Sequence, residues 1–326
     1  MPNPDTGATG AHKPTAGRAP VPLELGLVWL LLALVATEIV VTYARLPPRE
    51  LYHVSGRGLA GGLGRALVFA NWPVALVAIA TVLAVAERLP GRGSRTLAAL
   101  SVLLCAVVAW PGVVEQADLD PKPVNALPAA GVALALALAA AAARRHGVRL
   151  VGGHAAGWRL AAGVLALALS LPWLAADLGV YLDRLPGLGD VLLSGELRTQ
   201  PGDPTPHPAV HHGHHHGMDG TLLVVCGLLL VPTVAAVAGR LGTVLSGYVA
   251  LMLTYGAANL ANDAWLEQVV KRGWTSREIP DVTVPSLGIA WAVIAVGAAA
   301  FWASWLRRQR RLARKAAPAE TIPAPK

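Results

Sequence analysis

The segment His207-Pro-Ala-Val-His211-His212-Gly-His214-His215-His216-Gly-Met-Asp219-Gly holds six of the ten histidines in the chain. Neutral imidazole is the commonest metal ligand. Several imidazoles close to one carboxylate suit zinc, copper, nickel or iron. Helical spacing sharpens the reading. On a helix, His212, His216 and Asp219 stand at i, i+4 and i+7, and His211, His215 and Asp219 at i, i+4 and i+8. Either set is a two-histidine, one-carboxylate arrangement on one face. Gly213, Gly217 and Gly220 weaken such a helix, so a loop folded over the site is the alternative. Two blander roles compete with a built transition-metal site: a loose scavenging tract of interchangeable imidazoles, and a sensor of external pH.

Further ionisable groups lie where apolar residues dominate. Glu38 is flanked by Leu34-Val35-Ala36-Thr37 and by Ile39-Val40-Val41. A carboxylate inside a membrane span is costly and points to function or to a buried partner. Arg45, Arg49 and Arg57 follow closely and are the partners the sequence suggests. Asp177 and Asp263 end apolar runs, and Asn71, Asn259 and Asn262 lie near others. Glu38, Asp177 and Asp263 are therefore candidates for a further metal ligand or a general base. The Gly-rich stretch Tyr52-His53-Val54-Ser55-Gly56-Arg57-Gly58-Leu59-Ala60-Gly61-Gly62 follows no strand, so it is not a nucleotide loop. It reads as a re-entrant turn, with His53 as an additional candidate ligand.

The elements that must position these groups follow from composition. The chain has 326 residues, 54% hydrophobic and 14% charged. Its mean hydropathy is +0.52. A soluble domain carries about 25% charged residues. Disorder and nucleic-acid binding are excluded, and an ordinary soluble enzyme is disfavoured. The net charge of +8 does not argue for nucleic acid. Arg307, Arg308, Arg310, Arg311, Arg314 and Lys315 cluster directly after the last apolar run, as on the cytoplasmic flank of a membrane helix. Cys105 and Cys226 each sit in an apolar run and read as small buried hydrophobes, not as a disulfide or thiolate box.

A helix crossing the hydrocarbon core needs about 20 apolar residues. Eight stretches qualify: 23–44, 65–86, 95–114, 125–143, 158–178, 219–239, 241–261 and 285–306. The fourth is the shortest and is Ala-rich. The predicted fold is an all-α integral membrane bundle of about eight transmembrane helices with both termini cytoplasmic. Residues 1–20 are expected to be a disordered cytoplasmic tail and not a cleaved leader. Residues 21–306 form the polytopic domain, whose outer loop 179–218 carries the histidines. Residues 307–326 form a basic cytoplasmic tail.

Loop charge sets the orientation. Arg88, Arg92 and Arg95 belong inside, as do Arg144, Arg145, Arg149 and Arg159. Glu115, Asp118 and Asp120 belong outside with the long loop. The segment 45–64 departs from the rule, being outer yet basic. Trp72, Trp110, Trp173 and Trp291 near outer ends, and Trp158, Trp302 and Trp305 near inner ends, read as interfacial belts.

Together these features predict a multi-pass plasma-membrane protein with a transition-metal site (copper, zinc or iron) at its outer face. The composition is that of a GC-rich bacterial coding sequence. The leading reading is a membrane metalloenzyme acting on a lipid or other apolar substrate. The alternatives are copper or zinc handling, and a structural or sensory subunit. The expected partners are the lipid bilayer and that apolar substrate, with no nucleic acid.

Overall fold

The computed structural model describes residues 19–45, 55–115, 119–150, 156–177, 180, 185–186, 197–200, 203–208, 216–270, 273–280, 282–283 and 286–316. The chain is helical. In order come α1 (Leu23–Arg45), α2 (Gly58–Phe69), α3 (Ala75–Val85), α4 (Gly91–Ala106), α5 (Ala126–His146), α6 (Ala156–Asp177), α7 (His216–Ala236), α8 (Gly239–Trp265) and α9 (Ile289–Ala316). A π-helical turn over Ala70–Val74 fuses α2 to α3, and a second, Leu266–Val270, extends α8. Among the described residues, seven helices are long and apolar enough to cross a membrane.

The burial pattern says what surrounds them. The fused helix Gly58–Arg88 lies at the centre, with 83% of its apolar window buried, while only 11% of that in Ile289–Arg311 is buried. The outer helices nevertheless stay apolar on their exposed faces, with Leu30, Leu34, Leu103, Val293 and Val296 all turned outward. Exposed apolar faces of this extent are stable against hydrocarbon and not against water. The chain thus has the helices of a multi-pass, all-α membrane bundle.

Small residues set the helix crossings. A Cβ on Gly220 of α7 would lie 2.7 Å from the Gly256 carbonyl of α8, and one on Gly256 would lie 2.7 Å from the Leu223 Cβ. Without side chains there the backbones touch, which is how membrane helices gain packing without a hydrophobic driving force. Gly62 of α2 meets the Val40 carbonyl of α1 in the same way. The Tyr248 hydroxyl of α8 donates to the Leu76 carbonyl at 2.8 Å, tying α8 to the central helix.

The loops sort into two ends. At one, Val21–Pro22 (β1) pairs in parallel with Val148–Arg149 (β2). There Arg88 Nε donates to the Ala19 carbonyl at 3.1 Å, and the His146 ring lies 3.1 Å from the Arg88 carbonyl. At the other end, the Ser55 amide donates to Asp120 Oδ1 at 2.9 Å, and Lys122 pairs with Glu115 at 2.8 Å. This grouping is the one that alternating spans require. The Arg88 end is the one expected inside from loop charge, and the other is named the outer end on that expectation.

Four expectations change. The Ala-rich fourth span is a full helix, Pro123–His146. Alanine is the best helix former, and the helix closes at Gly147, whose φ of +73° suits a left-handed terminator. Eight spans were expected, and among the described residues seven helices are long and apolar enough, with α6 (Ala156–Asp177) standing at the place of the fifth. The Gly-rich stretch is not a re-entrant turn from Gly58 on, because it forms the first turns of α2, where packing on α1 outweighs the low helix propensity of glycine. Within the expected outer loop, Leu197–Gln200 (β3) and Asp203–Pro208 (β4) form an antiparallel hairpin that pairs His207 with Arg198.

The two-ended arrangement predicts accessibility. A cysteine replacing Lys122 should be labelled by an impermeant thiol reagent on intact cells, and one replacing Arg149 should not. Background should be low, because Cys105 and Cys226 are both buried. Labelling at 149 with protection at 122 would invert the orientation.

Candidate functional site

The buried charge gathers near the outer end, where α1, α2, α7 and α8 meet. Glu38 sits part-buried in α1, and its Oε1 accepts a 2.7 Å hydrogen bond from the Thr42 hydroxyl one turn on. The close α1–α2 crossing at Gly62 brings Arg65 to the level of Glu38. The Arg65 side chain is 5% exposed, and its guanidinium lies over the Tyr43 ring, 6.0 Å from the centroid. Arg65 attracts both Glu38 and Asp219, and Asp263 repels Asp219. Asp219 is buried in the first turn of α7, while Asp263 and Glu267 are buried at the end of α8.

Isolated buried charge costs many kcal/mol, and a nearby opposite charge offsets it. Arg65 is that compensating charge for Glu38 and Asp219. The compensation is electrostatic and leaves hydrogen-bonding capacity unused. Among the described residues, Glu38 Oε2, Arg65 Nε, Asn71 Oδ1 and Asp219 Oδ1 are buried with no hydrogen-bond partner. Buried polar atoms are nearly always satisfied, so such a concentration marks a place for water or a ligand.

A second, neutral layer lies beside the first. Pro73 has no N–H and cannot continue an α-helical ladder, which is why the central helix widens into a π turn there. Asn71 Nδ2 donates to the Leu67 carbonyl at 2.9 Å within that turn. Trp72 is 4% exposed, and its Nε1 donates to the Tyr255 hydroxyl at 2.9 Å. Tyr255 in turn donates to the Thr283 carbonyl, and the Thr283 hydroxyl donates to Asn259 Oδ1. Asn262 Nδ2 donates to the Pro280 carbonyl at 3.0 Å, and Trp265 Nε1 to the Arg277 carbonyl at 2.8 Å. Arg277, Pro280 and Thr283 thus strap the following segment across the outer end of α8.

The sequence candidates divide accordingly. Asp219 and Asp263 come together, and Glu38 joins them through Arg65. His216 is the first described residue of α7, one turn ahead of Asp219. His211, His212 and His215 lie outside the described residues, as does His53. Asp177 ends α6, and its side chain lies outside the described residues. Arg45, Arg49 and Arg57 were the expected partners of Glu38; among the described residues Arg65 acts on it, and Arg49 lies outside them. Asn259 and Asn262 anchor the strap. Trp72 is an internal hydrogen-bond donor and no belt residue. Trp291 packs on Tyr255 with ring centroids 5.1 Å apart, whereas Trp110 and Trp158 are exposed as belts require. Among the described residues no group of three or more His, Cys, Asp or Glu side chains is placed to hold a metal.

Fold and site define a helical multi-pass membrane protein with a charged core at one end. No family model matches the chain, and no curated protein or solved structure is detectably similar to it.

Two outcomes follow from the core. Arg65→Met strands buried carboxylates, and breaking a buried pair typically costs about 3–5 kcal/mol. The double change Arg65→Met/Glu38→Gln should recover part of that loss in a thermal-denaturation cycle. Strict additivity would show that Arg65 and Glu38 are not coupled. Tyr255→Phe leaves the buried Trp72 N–H and the Thr283 carbonyl unpaired, at about 1–3 kcal/mol for each buried group. Limited proteolysis within 273–283 should speed up, and an unchanged cleavage rate would separate the strap from Tyr255.

Proposed function

We propose that the protein holds a transition metal (copper, zinc or iron) at the outer face of the plasma membrane. We further propose that it is a membrane metalloenzyme acting on a lipid or other apolar substrate entering from the bilayer. One observation carries the reading. Asp219 is a buried carboxylate with one oxygen unpartnered, a single helical turn below the point where the histidine run enters α7. His211, His212, His215 and His216 with Asp219 supply the ligands. Glu38, Asp177 and Asp263 supply a further ligand or a general base. A bound metal would activate water or dioxygen. Arg65 limits the negative charge that would otherwise accumulate around Asp219.

The second reading is uptake, export or delivery of copper or zinc, with the tract as an outer collecting site. Conduction is supported less, because a pathway needs ionisable or coordinating groups along its length. Between the outer cluster and the inner-end residues Glu24 and Arg88, the buried polar side chains in the described spans are hydroxyls: Thr81, Ser101, Thr233 and Ser246.

Metal content of the purified protein, followed by zinc and copper titration of single variants, tests the proposal. A built site makes ligands unequal. His212→Ala, His216→Ala or Asp219→Ala should abolish stoichiometric binding, while His207→Ala or His214→Ala should matter little. Losses outside the ligand sphere alone cost about 10–100-fold, so a lost ligand should cost more. Binding should weaken below about pH 6.5, where protons compete for imidazole. Six small, equal effects would replace the built site with a scavenging tract. Metal retained through dialysis against a chelator marks a resident cofactor, and rapid release marks handling. Absence of binding would leave a structural or sensory subunit.

A further inference from the structure

A separate feature lies at the opposite end of the bundle. Between α3, α4 and the first turn of α8 is a cleft of about 630 Å³. That falls within the roughly 300–1,000 Å³ typical of small-molecule sites. Its walls are apolar, with Val82, Leu83, Ala98, Val102, Leu103 and Leu241 among them. Two charged residues also line it, Glu87 and Arg95. They lie near the α3–α4 turn, whereas Val102 and Leu103 lie about two helical turns further along α4. The cleft is therefore apolar in depth and charged at its entrance.

The entrance side chains keep their hydrogen-bonding atoms open, although Glu87 lies in the field of the adjacent Arg88. Glu87 and Arg95 are in no hydrogen bond or ion pair among the described residues. Their neighbour Arg88 is engaged with the Ala19 and Ala84 carbonyls and is not available to a ligand. One base and one acid with open hydrogen-bonding atoms at the head of an apolar slot are complementary to a zwitterion on an apolar tail. A simple anion would meet Glu87, and a simple cation would meet Arg95. A guanidinium recognises phosphate through charge-assisted hydrogen bonds. A carboxylate accepts hydrogen bonds from a primary ammonium, which carries three donors, and gains none from a quaternary one.

We propose that this cleft binds one phospholipid with a primary-amine headgroup. Its phosphate sits on Arg95, its ammonium on Glu87, and one acyl chain lies in the slot between α3 and α4. The site is independent of the outer-face metal reading. Native mass spectrometry of the full-length protein tests it, with delipidated protein offered equal amounts of phosphatidylethanolamine, phosphatidylcholine and phosphatidylglycerol. Phosphatidylethanolamine should be retained about tenfold over the other two, the ratio expected from one charge-assisted hydrogen bond. Glu87→Gln should bring it down to the level of phosphatidylglycerol. Arg95→Gln should lower all three, and Arg95→Lys should restore most of the loss. Equal retention of the three headgroups by the wild-type protein would mean annular lipid only and would overturn the proposal. Unchanged selectivity in Glu87→Gln would do the same. The wild-type ranking decides the matter even where a variant fails to fold.

Discussion

Charge placed in a low-dielectric bundle must be compensated where it stands. Arg65 meets that demand at the outer end, between Glu38 of α1 and Asp219 of α7. Much of the neighbouring architecture serves its position. Gly62 lets α1 and α2 approach closely enough to bring Arg65 opposite Glu38, and Gly220 and Gly256 let α7 and α8 touch so that Asp219 and Asp263 share one region. Tyr43 offers its ring face to the guanidinium at 6.0 Å. Remove the arginine and both carboxylates lose that opposite charge.

The same end is closed by a neutral network with a different logic. Trp72, Tyr255, Thr283 and Asn259 pass hydrogen bonds from the central helix through α8 to the strap over 277–283. The links join Trp72, Tyr255 and Asn259 on helical elements to the carbonyl and hydroxyl of Thr283 in the strap. That network holds the strap down without adding charge. The charged residues thus lie beside a layer of neutral side chains tied to one another and to the strap.

Helix positions were legible because a run of apolar residues long enough to span hydrocarbon has few other folds available. The grouping of loops at two ends was legible from Arg, Asp and Glu counts. Arg65 was missed because the apolar window of its span began at residue 65, so the arginine read as a boundary residue. The helix in fact starts at Gly58, two turns earlier, since glycines that lower propensity also permit close packing. Trp72 was missed because indole near a span end usually marks the interface. Only the Tyr255 hydroxyl 183 residues away in sequence tells otherwise. Asn262 read as a polar end, but its amide holds Pro280. Contacts at such separations leave no local periodicity to read. Asp219 and Asp263 were legible as candidates because a carboxylate beside an apolar run is conspicuous on its own.

The π turn over Ala70–Val74 governs how the central helix is aimed. A π turn holds about one residue more than an α turn, and one residue is roughly 100° of rotation. The outer segment carrying Arg65 and the inner segment carrying Val77, Thr81 and Val85 therefore do not share one continuous face. Each half is indexed separately against its neighbours, like two cams on a shaft joined by a keyed coupling. A one-residue deletion in that coupling would leave both halves helical and both sequences intact. It would swing the arginine out of register with α1 and α7 while the inner half kept its contacts. The charged end of the helix is thus specified by the length of the chain between two anchored segments as well as by the residues themselves.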